Sequence, residues 1–346
     1  MSTKAYAATS PTSPLTPFTF ERRATGPHDV RIEIAYCGIC HSDIHQVRDE
    51  WGGATYPMVP GHEIVGRVTA VGAHVKNFKI GDLAGVGCMV DSCRTCPSCA
   101  RNLEQFCEKG AAFTYNGTEM DRKTPTFGGY SSSVVVDDAF ALHISPKLDL
   151  AAAAPLLCAG ITTYSPLRYW KTKRGDKVGV VGLGGLGHMA VKIAAAMGAE
   201  VTMLSTSASK EADARKLGAQ GFGLTSDPST FTRLRGHFDL IIDTISAPHD
   251  YNQYLGMVRL EGAMVLLGVP PAPTPVAATS LIFGRKTLSG SLIGGIKETQ
   301  EMLDFCAEHG IVSEIELIPV QQVNEAYERM MKGDVRYRFV LDMKTL

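Results

Sequence analysis

Four cysteines, Cys93, Cys96, Cys99 and Cys107, stand in one short stretch with two, two and seven residues between them. This spacing lets a single loop fold around a tetrahedral metal ion. Four soft thiolates complete the coordination of Zn2+ and leave no position for a substrate, so the loop is expected to be scaffold. Reactive chemistry then falls to the remaining cysteines, Cys37, Cys40, Cys88, Cys158 and Cys306, and to the histidines near them. Three separated segments carry candidate ligands: Cys40 within 38–45, His62 followed by Glu63 within 60–63, and Cys158 within 156–160. Two thiolates and one imidazole form a Cys2His site with an open fourth position, which water, substrate or Glu63 can take. Zinc in such a site acts as a Lewis acid on a substrate oxygen. A cysteine among aliphatic residues is more often core packing, and a lone histidine more often structural, so no segment argues alone. Their weight comes from standing in one chain with the four-cysteine loop.

Alcohol–aldehyde chemistry at such a site also needs a path for a proton, because hydride moves on carbon while oxygen gains or loses H+. Ser42, two residues beyond Cys40, and His45, three further on, are spaced to relay it to solvent, with His41 as a competing choice.

A glycine triplet supplies the second candidate site. Gly182, Gly184 and Gly187, with Gly185 and Leu186 between them, follow an apolar run at 177–181 and precede an apolar-periodic segment at 188–197. Strand, glycine turn and helix in that order form the dinucleotide fingerprint: one glycine for the tight turn, one for close approach to a pyrophosphate, one for helix-on-strand packing. A flexible loop is the bland alternative, and the flanking βαβ pattern argues against it. The next strand, at 200–205, ends without the Asp or Glu that grips a ribose 2′-hydroxyl in NAD-binding chains. Ser205, Thr206, Ser207 and Lys210 follow instead, leaving room and positive charge for a 2′-phosphate. NADPH is therefore predicted over NADH, although Ser207 or Ser209 would serve equally as a helix N-cap.

Two kinds of texture position these residues. Up to about residue 150 the chain consists of short alternating runs, such as 29–36 and 63–71, broken by Gly, Pro and Asp, which predicts a β-rich unit. From about 151 helical and apolar strand patterns alternate. Helices are predicted over 151–169, 188–197 and 209–217, and strands over 177–181, 200–205, 238–245 and 263–269, so a doubly wound parallel sheet is expected. Helices at 297–309 and 322–332 and a strand at 337–342 come after the alternation stops and are assigned back to the first unit. The expected domains are 1–154 with 294–346, and 155–293.

Composition narrows the function classes. A 346-residue chain with 45% hydrophobic and 20% charged residues suffices for two cored domains. Its net charge of −1 and pI near 6.8 provide no broad basic field for nucleic acid or an anionic membrane. No segment reaches the roughly 18 consecutive apolar residues of a membrane span. Nine cysteines without a secretion signal point to reduced thiols and metal ligation in the cytoplasm.

With these residues in view, Gly-His-Glu at 61–63, the four-cysteine loop, the glycine motif at 182–187 and the Cys40 segment closely resemble zinc-dependent medium-chain alcohol dehydrogenases over nearly the whole chain. The segments at 37–43, 158–164, 187–189 and 334–340 resemble the cinnamyl-alcohol-dehydrogenase branch, closest to its NADPH-dependent aldehyde reductases. The resemblance implies a GroES-like catalytic domain joined to a Rossmann domain, with the active site in the cleft between them. It also implies a homodimer formed through the Rossmann sheets near 281–292 and two zinc ions per subunit. Cys40, His62 and Cys158 match the catalytic ligands, Glu63 the exchangeable carboxylate, Ser42 and His45 the relay, and the four-cysteine loop the structural site. Thr162, Val269, Ser291 and Arg338 match the nicotinamide and phosphate path. Trp51, Cys88 and the 113–115 segment match substrate-pocket walls, while 52–56 and 111–116 depart from plant lignin enzymes. The expected activity is NADPH-dependent reduction of aldehydes to primary alcohols. A polyol or secondary-alcohol dehydrogenase and a non-catalytic nucleotide sensor on the same scaffold are the alternatives.

Overall fold

The computed structural model describes residues 2–346, which form two compact units: the residues up to Ile161 with Gly294–Leu346, and Thr162–Ile293. In the first, the alternating run beginning at Asp29 becomes the strand Asp29–Gly38, which buries Val30, Ile32 and Ile34 on one face. It pairs antiparallel with Ile64–Val71, Ser133–Asp137 and Arg338–Asp342. Leu83–Val86 and Leu142–His143 extend the sheet at one side, and Ile315–Pro319 at the other. The late helices are Ile296–His309 and Val323–Met331, and the last strand sets Val340 opposite Gly38, so the C-terminal segment is part of the first unit's sheet. Ile315–Pro319, parallel to that last strand, is a strand the alternation did not announce, since three of its five side chains are only partly buried and it ends on proline.

The second unit is a six-stranded, all-parallel sheet. In chain order its strands are Lys177–Val181, Glu200–Ser205, Gly221–Leu224, Phe238–Asp243, Val258–Leu266 and Thr287–Gly290. Their spatial order, third-second-first-fourth-fifth-sixth, is the doubly wound arrangement that places a ligand site at the carboxyl ends of the central strands. Val178, Val180 and Val181 are fully buried, as a central parallel strand requires. The helix Gly187–Ala196 and the turn Ala208–Lys210, continued by Glu211–Lys216, fall where the periodicity predicted them.

Several expectations on boundaries change: the helix expected over 151–169 is broken into Leu150–Ala153, the turn Ala154–Leu157 and Ala159–Tyr169, and the strand expected over 238–245 ends at Asp243. The strand expected over 263–269 runs from Val258 to Leu266, because the N–H groups of Leu267 and Gly268 turn to the Asp243 carbonyl. The division expected after 154 falls after Ile161, inside the helix Ala159–Tyr169, because the Ala154–Leu157 turn and Cys158 pack into the first unit. Among the described residues no single helix is long and apolar enough to cross a membrane.

Candidate metal and nucleotide sites

Cys40, His62, Glu63 and Cys158 converge in the first unit. All four are buried, and one ligand atom from each lies within 4.8 Å of the others. The Cys40 and Cys158 sulfurs are 3.9 Å apart. Two thiolates on one tetrahedral zinc, with bonds of about 2.3 Å, stand about 3.8 Å apart, so the donor set fits that ion. The Cys40–Cys158 thiol contact holds Cys40 well below the usual thiol range. Glu63 Oε1 pairs with the buried Arg338, whose Nη2 also donates to the Ile39 carbonyl (2.9 Å). Glu63 Oε2 has no hydrogen-bond partner although it is buried. Burial pushes the Glu63 carboxyl up to about 7 against the pull of Arg338. Burial works against the Arg338 charge too, but Glu63 beside it pushes Arg338 above its ordinary value. A buried carboxylate oxygen with no protein partner, beside two thiols and an imidazole, fits a cation-binding group.

A residue the sequence reading passed over organises the cluster. Asp43 is fully buried; its Oδ2 accepts the Cys40 N–H (2.9 Å) and the Tyr130 O–H (3.1 Å), and its Oδ1 accepts the Gly61 N–H (3.1 Å). The same Oδ1 lies 3.2 Å from His62 Nδ1. One carboxylate thus joins the Cys40 and His62 segments and fixes the imidazole. The signal was available: Asp43 sits three residues into the helix His41–Val47, where it forms a capping box with Cys40. Gly61 has φ 103°, and a Cβ there would meet Tyr130 and Cys37 at 2.6 and 2.8 Å, so only glycine delivers His62 at this point.

Around the cluster, Ser42 Oγ is 3.6 Å from Cys40 Sγ. The His45 ring bonds Glu50 and stacks on Trp51 at 4.9 Å, with Trp51 47% exposed. Cys88, expected only as a pocket wall, shares a hydrogen bond with the Cys158 thiol that lowers its own pKa. Within the 113–115 segment, Phe113 is exposed, whereas Tyr115 is buried and stacks on His62 at 5.8 Å. Arg338, expected on the nucleotide path, is in this structure the buried partner of Glu63.

The four-cysteine loop closes on itself. Cys99 Sγ lies 3.9 Å from Cys93 Sγ and 3.5 Å from Cys96 Sγ, and all four sulfurs fall within 4.8 Å. The N–H of Cys96 points at Cys93 Sγ (3.3 Å), and that of Glu108 at Cys96 Sγ (3.5 Å). Backbone N–H groups, that of Thr95 foremost, bring the Cys93 thiol down to about 6, favouring the thiolate that ligates metal. Among the described residues only the four thiols make up this group, which fits a closed zinc site.

In the second unit Gly182 adopts φ 89°, and its N–H donates to the Leu204 carbonyl (2.9 Å). A Cβ on Gly187 would overlap the Gly182 carbonyl, whereas one on Gly184 would meet nothing within 4 Å. Gly187 therefore allows close packing, and Gly184 faces the open space a pyrophosphate needs. Ser205 Oγ accepts the Ser207 N–H (3.2 Å), Ser207 and Ser209 hydroxyls lie 2.8 Å apart, and Lys210 Nζ donates to the Leu183 carbonyl (2.9 Å). These bonds gather three hydroxyls and an ammonium beside the glycine turn, while Thr206 stays exposed. Thr162 is buried, Val269 is exposed, and the Ser291 N–H bonds the Leu266 carbonyl.

A buried thiol–imidazole–carboxylate cluster and a dinucleotide turn are the equipment of a metal-assisted hydride-transfer enzyme. Comparison with known proteins agrees. Residues 26–146 match the family model of the alcohol dehydrogenase GroES-like domain, and 185–308 that of zinc-binding dehydrogenases. NADP-dependent alcohol dehydrogenase C 1 of Mycolicibacterium smegmatis is 58% identical over 99% of this chain and 98% of its own. Aldehyde reductase YahK of Escherichia coli is 52% identical over 100% and 99%. The crystal structure of CAD from Helicobacter pylori complexed with NADP(H) superposes with a TM-score of 0.93 at 45% identity, covering 99% of each chain. The chain belongs to the zinc-dependent medium-chain alcohol dehydrogenase family.

Proposed function

We propose that this protein reduces aldehydes to primary alcohols, reversibly, with NADPH as hydride donor and zinc as resident metal, over a broad range of aromatic and aliphatic aldehydes. The buried cluster of Cys40, His62, Glu63 and Cys158, in a chain whose second Rossmann strand ends without an acid, carries the reading. The NADP-dependent and aldehyde-reducing relatives named above support it. When bound, zinc held by Cys40, His62 and Cys158 supplies Lewis acidity to a carbonyl oxygen, and NADPH supplies hydride.

The chain's own residues do the rest. Asp43 fixes the tautomer and direction of His62. Arg338 holds Glu63 so that one carboxylate oxygen faces the cluster. Ser42 Oγ, beside Cys40, is the first proton donor, and His45, oriented by Glu50, exchanges that proton with solvent. Ser205, Thr206, Ser207 and Lys210 hold the 2′-phosphate. Gly182 to Gly187 hold the pyrophosphate, and Thr162, Val269 and Ser291 line the nicotinamide path. Trp51 and Cys88 are walls of the substrate pocket. Cys93, Cys96, Cys99 and Cys107 hold the structural zinc. Ile282, Phe283 and Leu292, exposed apolar residues of the Rossmann unit, are the core of a homodimer interface. With nine reduced thiols, the enzyme is read as cytoplasmic, where NADPH favours reduction.

Loss of NADPH absorbance is the test, with benzaldehyde, cinnamaldehyde and short aliphatic aldehydes as substrates. No turnover with any aldehyde by protein carrying two zinc ions would sink the proposal. Faster oxidation of sorbitol or 2-propanol than of benzyl alcohol would move it to a polyol or secondary-alcohol dehydrogenase. Cys40→Ser should remove one zinc and the activity while NADPH binding stays.

A further inference from the structure

After the strand Phe238–Asp243 the chain runs through residues 244–250 before entering the helix Tyr251–Met257. This loop is a wall of the glycine turn. Thr244 donates its hydroxyl to the Val181 carbonyl (2.7 Å), with the Gly182 carbonyl 3.1 Å away, and its N–H also reaches Val181 (3.1 Å). A Cβ on Gly182 would lie 2.8 Å from Ile245 Cγ1, and one on Gly187 would lie 3.3 Å from Thr244 Oγ1. One on Gly268, next to Val269, would overlap the Ile245 carbonyl. The loop therefore touches the first and third glycines of the turn and the end of the fifth strand.

His249 closes the loop back on its own strand. Its Nε2 lies 2.8 Å from Asp243 Oδ2, and its Nδ1 lies 2.8 Å from the Ala247 carbonyl. A carbonyl oxygen only accepts. Asp243 is fully buried and already accepts the Ile245 N–H through Oδ1 (3.1 Å). A ring between two acceptors makes both bonds only when both nitrogens carry protons, as an imidazolium. Partial burial disfavours that charge, but the bonds to Asp243 and Ala247 outweigh it and raise His249 above the ordinary imidazole value. Asp250, the other charged neighbour, also favours the cation. The rings of Tyr251 and Tyr254 meet the imidazole edge-on at 4.9 and 5.4 Å, and burial pushes both phenols up, so they are neutral where His249 titrates.

We propose that His249 is a positioning residue for the dinucleotide: as an imidazolium it ties residues 244–249 to Asp243 and keeps the wall of the glycine turn in its binding shape. This rests on the reading of the Rossmann unit as the NADPH site. The sign follows from the bonds. The contribution is fully present below the unfolded imidazole value, near 6.5, and is lost as pH rises through the raised folded value. NADPH affinity should therefore fall on the alkaline side, when one of the two bonds is given up.

Fluorescence titration of NADPH into the zinc-loaded protein, from about pH 6 to about pH 9, tests this in wild type and His249→Gln. Glutamine keeps one donor and carries no charge. The variant should bind about fivefold more weakly at the acid end, and the two curves should converge at the alkaline end as wild type loses its advantage. Titration of the cofactor's own phosphate is common to both curves and cancels in their ratio. A ratio that stays constant with pH would mean a merely structural role and overturn the proposal. Absence of NADPH binding by wild type at every pH would overturn the cofactor reading and this proposal together. If His249→Gln does not fold, Asp243→Asn takes its place: the alkaline step must move to lower pH, and an unmoved step refutes the link.

Discussion

Gly38 is the point at which the metal cluster has least room, and Gly38→Ala tests whether Glu63 is held as described. A Cβ at Gly38 would overlap Glu63 Oε2 and lie 3.0 Å from the Cβ and Cδ of the same side chain. The carboxylate has little freedom to retreat, because Arg338 binds Oε1 and is itself anchored on the Ile39 carbonyl. Gly38 sits in a strand, outside the left-handed region, so alanine is allowed there. By restricting the unfolded chain it would stabilise by about 0.4–1 kcal/mol. Against this stand overpacking, about 1–3 kcal/mol, and, if the carboxylate leaves Arg338, the loss of one member of a buried ion pair, about 3–5 kcal/mol. Crowding and the broken pair together outweigh the gain from the stiffer unfolded chain, and a net loss of about 3–7 kcal/mol is expected, with reduced zinc content. Thermal unfolding and metal analysis of Gly38→Ala, Glu63→Ala and the double variant form the assay. With Glu63 truncated only the contact to its Cβ remains, so Gly38→Ala should then cost less than about 1 kcal/mol. An equal cost in both backgrounds would refute the clash and the confinement of Glu63 inferred from it.

Two further perturbations separate the scaffold metal from the cofactor pocket. Cys96→Ser should lower zinc from two ions to one per chain and drop Tm by on the order of 10 °C; unchanged zinc content by metal analysis would remove the four-cysteine loop as a metal site. Ser205→Asp brings a carboxylate to the end of the second strand and should weaken NADPH by about 100-fold while NADH binding improves, a reversal read from the two dissociation constants; retained NADPH preference would move the 2′-phosphate elsewhere.

How far these sites were legible depends on the sequence distance over which each is assembled. The four-cysteine loop and the glycine turn are local, so spacing alone specified them, and Gly187 lies against Gly182 as the fingerprint requires. The parallel strands Lys177–Val181 and Phe238–Asp243 were visible because burial on both faces leaves apolar runs. Gly221–Leu224 and Thr287–Gly290 are edge strands rich in glycine and hydroxyl residues, and no composition signal marks them. The metal cluster is a middle case. Its ligand types stood out, but their wider support did not: Asp43 caps Cys40 locally, yet its bond to Gly61 spans 18 positions and Arg338 reaches Glu63 across 275.

That separation explains why the pairing of Arg338 with Glu63 is not visible in the sequence. An arginine in a closing strand announces charge but not its partner; the partner follows from Val340 pairing with Gly38, which brings Arg338 beside the Ile39 carbonyl and Glu63. The same register confines Glu63 between a cation and a glycine. Ligand identity is therefore carried by local motifs, whereas the direction of Glu63 is set by strand register. Within this site register is the more exacting requirement: a one-residue slip of Arg338–Asp342 would leave every ligand in place and remove the charge that holds Glu63.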